Sequence, residues 1–125
     1  MFSFLKRSKE LEEKVVVADP AQMTPETPGE FFERGMAHYA RHEFASAEDD
    51  FKQAAASDKH AVDGYYGLGL AYKALNRVED AIQSFQKAID LIDSGAPVES
   101  GARGSMLRRI ANSHIMQLRP ETAGE

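Results

Sequence analysis

Similar residues recur 34 positions apart along the chain, and no other feature of the sequence constrains the fold as strongly. Apolar and small residues recur within each copy at helical spacing, with a turn between two helical stretches. Six pairs of similar residues share the offset: Phe31 and Tyr65, Gly35 and Gly69, Phe44 and Val78, Ala47 and Ala81, Phe51 and Phe85, Ala54 and Ala88. A single helical hairpin cannot bury its apolar face alone, so the two copies are expected to stack side by side.

Start and stop signals predict five helices. Thr27, Pro28 and Glu30 favour a helix start, because threonine caps free amides, proline fits the first position and glutamate completes a capping box. The first predicted helix runs from there to a turn at His42-Glu43. The second covers about 45–57, the third covers about 61–75, and the fourth runs from a cap at Asn76 to near Asp93. The fifth covers about 98–118 and is ended by Pro120. The stretch from Gly95 to Gly104 is rich in glycine and proline and predicts a mobile loop. No segment alternates like a half-buried strand, so the predicted fold class is all-α.

The second copy resembles the tetratricopeptide repeat family. The residues that carry the resemblance are Tyr65-x-x-Leu68-Gly69-x-x-Tyr72, followed by Ala81-x-x-x-Phe85 and Ala88. The first copy departs from the family pattern at Arg34 and His38, where leucine and tyrosine are expected, and both copies lack the closing proline. Leu107, Ile110, Ala111 and His114 form a partial third copy, 42 positions after the matching residues of the second copy. The resemblance therefore implies an α-α superhelix of two helical hairpins plus a C-terminal capping helix.

The same resemblance implies a function in protein binding. Family members typically hold a peptide or a partner helix in a concave groove lined by the first helix of each hairpin. The matching positions here are Phe32, Met36, Tyr39, Ala40, Asp63, Tyr66, Leu70, Lys73, Arg108, Asn112 and Ile115. Aromatic and methionine side chains in this set suit an apolar or amphipathic ligand. We therefore expect an adaptor that binds a protein or peptide partner.

Two alternatives compete with an open groove. Residues 1–27 could fold back and fill it, which would make Phe32 and Tyr66 ordinary core residues. The chain could also self-associate as a homodimeric scaffold or dedicated chaperone, because repeat arrays usually need about three units for stability. In that case residues 1–9, which begin Met-Phe-Ser-Phe-Leu-Lys-Arg, could tether it to a membrane surface.

Charge and composition exclude several other classes of function. The chain has 15 Lys and Arg against 20 Asp and Glu, a formal charge of -5, which argues against nucleic-acid binding. It has no cysteine, so it offers no thiol nucleophile and no thiolate metal site. No nucleophile elbow, phosphate-binding glycine loop or zinc-protease motif is found, so we expect no enzymatic activity and no cofactor.

Two polar clusters have both a chemical and a structural interpretation. His38 and His42 have the i, i+4 spacing that can chelate a metal, but no third strong ligand follows at fixed spacing, which favours a polar surface and no metal. The carboxylates of Glu48, Asp49 and Asp50 are expected to form a solvated helix face.

The expected organisation has three parts. Residues 1–27 form an N-terminal arm with an extended proline-rich linker, 28–118 form the repeat domain, and 119–125 form a polar tail. The sequence begins with a short apolar tip followed by cations, the reverse order of a secretory signal, so the expected compartment is the cytoplasm.

Overall fold

A computed structural model describes residues 18–119. Its helices are α1 (Pro28–Ala40), α2 (Phe44–Ala55), α3 (Ala61–Ala74), α4 (Val78–Asp93) and α5 (Gly104–Leu118), with short 3₁₀ turns at Pro20–Gln22 and Asp58–His60. Each helix packs against the next one along the chain, and α1 also contacts α3. The described residues contain no strand. The prediction of an all-α fold with two hairpins and a C-terminal capping helix is confirmed.

The two hairpin turns are copies of each other. His42 and Asn76, which occupy equivalent positions in the two repeats, both take the left-handed conformation, with φ of 62° and 61°. The amide of the following residue then donates to a carbonyl near the end of the first helix, from Glu43 to His38 and from Arg77 to Tyr72. The prediction that Asn76 caps the next helix is therefore wrong. Asparagine tolerates the left-handed conformation, and it turns the chain before α4 begins at Val78.

Both ends of the repeat domain show local differences from the sequence prediction. Thr27 Oγ1 accepts from the Glu30 amide at 3.2 Å, which confirms the predicted start of α1. The linker before it is not uniformly extended, because Asp19 caps a 3₁₀ turn whose Pro20 is buried against the domain. Helix α5 begins at Gly104 instead of near residue 98. Arg119 is extended after α5, as predicted for the residue before a proline.

Several predictions concern residues outside the described range. These are the apolar tip with its proposed membrane contact, the remainder of the arm up to residue 17, and the tail from 120 to 125. Within residues 18–119, no helix combines the length and the apolar character that a bilayer crossing requires.

The core is built from phenylalanine rings seated on glycines. Phe51 and Phe85 are fully buried and belong to one cluster that runs through both hairpins to α5. A Cβ added at Gly35 or Gly67 would lie 2.7 or 2.6 Å from the Phe51 ring, and one at Gly69 would lie 2.6 Å from Phe85. The rings therefore occupy the space that a side chain at these glycines would need.

Gly67 shows how consecutive hairpins nest. Its counterpart in the first copy is Glu33, so it does not belong to the repeated pattern. It contacts Phe51 of the preceding hairpin, whereas Gly35 contacts the same ring from within that hairpin. Among the described residues no hairpin precedes α1, so position 33 can hold a glutamate.

The glycine contacts predict opposite outcomes for two identical substitutions. Gly69→Ala should destabilise the chain by about 1–3 kcal/mol, because the new methyl group collides with the buried Phe85 ring. This loss should appear although alanine favours a helix over glycine by about 1 kcal/mol. Urea denaturation followed by circular dichroism would measure the free energy of unfolding.

Gly104→Ala is the matched control, because the nearest atom to its added Cβ is 3.4 Å away. It should leave the stability unchanged or slightly higher. Equal losses in the two variants would contradict the packing argument.

Candidate functional site

The first helices of the two hairpins carry a strip of partly exposed aromatic side chains. Phe32 on α1 and Tyr66 on α3 share the repeat offset and occupy the same place in each hairpin. The Phe32 ring lies 5.7 Å from Phe51, and the Tyr66 ring lies 5.8 Å from Phe85, centroid to centroid. Each ring therefore packs one side against the core and leaves part of its surface accessible.

The strip continues toward the C-terminal ends of these helices. Met36 is 39% exposed, and Tyr39 and Leu70 are half-buried at the edge of the core cluster. Burial raises the pKa of the Tyr66 phenol, and the proximity of Tyr39 raises it further, so Tyr66 remains a neutral hydroxyl at physiological pH. We define the groove strip as Phe32, Met36, Tyr39, Tyr66 and Leu70, which are partly or largely exposed and lie on α1 and α3, two helices that contact each other.

Lys73 lies one helical turn after Leu70 on α3 and connects α3 to α5. Its Nζ lies 2.9 Å from His114 Nδ1 and donates to Gln117 Oε1 at 3.2 Å. An ammonium group only donates, so Nδ1 of His114 must accept and the imidazole is neutral in this contact. The face of α5 that meets α3 thus carries His114 and Gln117.

The structure differs from the sequence prediction on α5. Arg108 donates to Asp93 at the end of α4 at 2.8 Å, Asn112 is exposed near Met116, and Ile115 is 2% exposed in the core. The physical reason is the orientation of α5, which packs Leu107, Ala111 and Ile115 inward. Ile115 is therefore a core residue, Arg108 is paired with α4, and Asn112 is exposed, so the groove strip as defined above does not include these three residues.

The N-terminal end of the strip is closed by the loop between α4 and α5. Asp63, predicted as a groove residue, is 2% exposed, and its Oδ2 accepts from the backbone amides of Glu99 and Ser100 at 2.8 and 3.1 Å. The loop that the sequence predicts to be mobile is tied to α3 at this point. A cavity of about 280 Å³ lies beneath it, lined by Gly29, Phe32, Glu33, His60, Asp63, Glu99 and Ser100. We call this space the end cavity.

The acidic cluster on α2 has a structural role that the sequence prediction missed. Asp50 is buried and accepts two hydrogen bonds from the Arg34 guanidinium, both at 2.8 Å. Glu48 is also buried and pairs with Arg77 at 2.9 Å and with Lys52 at 2.8 Å. The prediction of a solvated face is therefore wrong for these two residues. Arg34 replaces the family's leucine, and it is the signal that could have identified the pair with Asp50.

No metal centre is formed by the described residues. Nδ1 of His38 lies 3.4 Å from Glu43, and its Nε2 lies 3.7 Å from Asp50, which already holds Arg34. Throughout residues 18–119, no three His, Asp or Glu side chains converge in a way that could hold a metal ion.

His114 should make the stability of the chain depend on pH. Its ring stacks on Phe85 at 4.8 Å, and burial, with a smaller effect from Lys73, lowers its pKa below the ordinary 6.5. The unfolded chain therefore binds this proton more readily than the folded chain does. The stabilising effect is complete above about pH 6.5 and is lost as the pH falls through 6.5 toward the lower folded value. Urea unfolding at several pH values would measure the resulting decrease.

A His114→Phe variant keeps a ring on Phe85 and should flatten this part of the pH dependence. His42→Asn is the matched control, because it replaces an exposed histidine with a residue that accepts the same positive φ. It should retain the wild-type pH dependence. An unchanged slope in His114→Phe would rule out His114 as the group responsible.

Comparison with known proteins agrees with the repeat. A sequence model described as "Tetratricopeptide repeat" matches residues 32–96, just over half of the chain. The curated relative "Superkiller protein 3" of Saccharomyces cerevisiae is 39% identical over 57 residues, which cover 46% of this chain and 4% of that protein. The chain therefore spans only a small fraction of the relative's length. No solved structure matches the chain at a significant level.

Proposed function

The chain belongs to the tetratricopeptide repeat family, and we propose that it is a non-enzymatic adaptor that binds a protein partner along the groove strip. Repeats of this family generally mediate protein–protein interactions. The bound element would be a peptide or a helix, because the strip lies along two helices that contact each other. Apolar contacts would dominate, with the Tyr39 and Tyr66 hydroxyls available as polar contacts.

The observation that carries this proposal is the exposure of large apolar side chains over a well-packed core. Met36 is 39% exposed, and the rings of Phe32 and Tyr66 are only partly covered, although Phe51 and Phe85 directly beneath them are fully buried. The core is therefore filled without burying the outer faces of the Phe32 and Tyr66 rings. Contiguous apolar surface of this kind is typical of sites where partners bind.

Substitution within the strip should remove partner binding without unfolding the chain. A Tyr66→Ala, Leu70→Ala double variant should reduce the amount of specifically captured partner by about tenfold or more, because aromatic anchors dominate interface energies. Affinity capture from a lysate of the source cells, with quantitative mass spectrometry, would measure the loss. Circular dichroism would verify that the variant remains folded.

Met116→Ala is the matched control for removal of an apolar side chain. Met116 is 69% exposed and lies on α5, a helix that contributes no residue to the groove strip. This variant should capture the same partners in the same amounts as the wild type. A double variant that captures the wild-type set of partners would reject the groove strip as the binding surface.

Self-association is a second proposed role, and one observation favours it. Met106 and Ile110 lie one turn apart on α5 and are 48% and 38% exposed, so they form a second apolar surface beside the groove. A symmetric contact through this surface would produce a homodimeric scaffold. Light scattering at two concentrations would distinguish a dimer from a monomer. The cytoplasmic compartment and a membrane tether through residues 1–9 stay predictions from the sequence.

A further inference from the structure

The end cavity has the size of a site for one side chain. Its volume of about 280 Å³ lies just below the range of roughly 300–1,000 Å³ that is usual for small-molecule pockets. It is continuous with the groove strip, since Phe32 belongs to both. A peptide that lies along the strip would therefore bring one of its side chains to this cavity.

The charge of the end cavity is strongly negative. Glu33, Asp63 and Glu99 line it together with His60, and none of these three carboxylates forms an ion pair within residues 18–119. Asp63 is almost completely buried, and both of its hydrogen bonds use Oδ2. Its second carboxylate oxygen accepts no hydrogen bond from the part of the chain that the structure describes, so it remains available to a donor in the cavity.

The nearby helix ends do not cancel this charge. The cavity lies at the N-terminal ends of α1 and α3, where each helix contributes the equivalent of roughly half a positive charge. Three carboxylates outweigh these two contributions. The potential inside the cavity therefore favours a cationic ligand.

The shape of the site selects the kind of cation. The side chains of the described residues do not converge to hold a metal ion, and the ring of Phe32 forms one wall. A guanidinium group can lie against an aromatic ring and donate several hydrogen bonds to carboxylates at once. An ammonium group is a compact point charge and makes fewer of these contacts, so the site favours arginine over lysine.

We propose that the end cavity binds a basic side chain of the partner, with arginine preferred over lysine, while the groove strip binds the partner's apolar residues. The partner segment is then an amphipathic peptide with a cation near one end. The inference rests on the proposed function, because it assigns the chemistry of the ligand at the same groove.

A random dodecapeptide library displayed on phage provides a test that needs no known partner. Panning against the full-length chain should enrich peptides that combine apolar residues with an arginine or lysine. Replacing that basic residue by glutamine in a selected synthetic peptide should weaken binding about tenfold. Fluorescence anisotropy would measure both affinities.

Removing two of the three carboxylate charges of the cavity should reduce this preference. Against a Glu33→Gln, Glu99→Gln variant, which keeps Asp63, the difference in affinity between the basic and the glutamine-substituted peptides should be clearly smaller than on the wild type. Raising the NaCl concentration from about 0.05 to about 0.5 M should weaken the basic peptide more on the wild type than on the variant. Glu26→Gln with Glu79→Gln is the matched control, because both residues are exposed and neither lines the cavity.

The outcomes separate this inference from the proposed function. Enrichment of apolar peptides without basic residues, with binding lost in Tyr66→Ala, Leu70→Ala, would overturn the cation site and leave the groove intact. A basic preference that is undiminished in the Glu33→Gln, Glu99→Gln variant, or that decreases equally in the control variant, would also overturn it. Failure to enrich any peptide would reject both proposals.

Discussion

The close contact between a phenylalanine ring and a glycine determines how this chain is built. Phe51 is held between Gly35 of its own hairpin and Gly67 of the next one, so a single ring sets the spacing both within and between hairpins. A methyl group at either glycine would overlap the ring. The stacking of the two hairpins is therefore fixed by steric exclusion as well as by the burial of apolar area.

The accessible aromatic strip follows from this packing. Since the glycines bring α1 and α3 close to the buried rings, the next aromatic layer, Phe32 and Tyr66, lies on top of Phe51 and Phe85 and cannot sink further. The outer surface of both rings stays partly exposed. The same repeated geometry that stabilises the core thus leaves an apolar surface available to a partner.

The sequence was sufficient to predict the parts of the fold that repeat, but not the contacts that are specific to one copy. The constant offset predicted both hairpins and the buried phenylalanines, because equivalent residues have equivalent surroundings. Helix α5 packs on one main neighbour, so its own apolar residues decide its rotation, and Ile115 turns into the core. The sequence around Asp63 does not indicate that this residue holds the loop at Glu99 and Ser100. The Asp63 carboxylate accepts from backbone amides, which almost every residue possesses, so no particular residue type marks the contact.

The distribution of ion pairs separates structural carboxylates from those that can act on a ligand. Asp50 and Glu48 are neutralised by Arg34 and Arg77 within the fold, and Asp93 is paired with Arg108 at the surface. The carboxylates around the end cavity have no such cation among the described residues. Removing a structural carboxylate leaves its arginine unpaired and lowers stability. Removing the carboxylate of Glu33 or Glu99 leaves no described cation without its ion-pair partner. The charges of Glu33 and Glu99 are therefore not required by the packing of the described residues, which is the property expected of residues that serve binding.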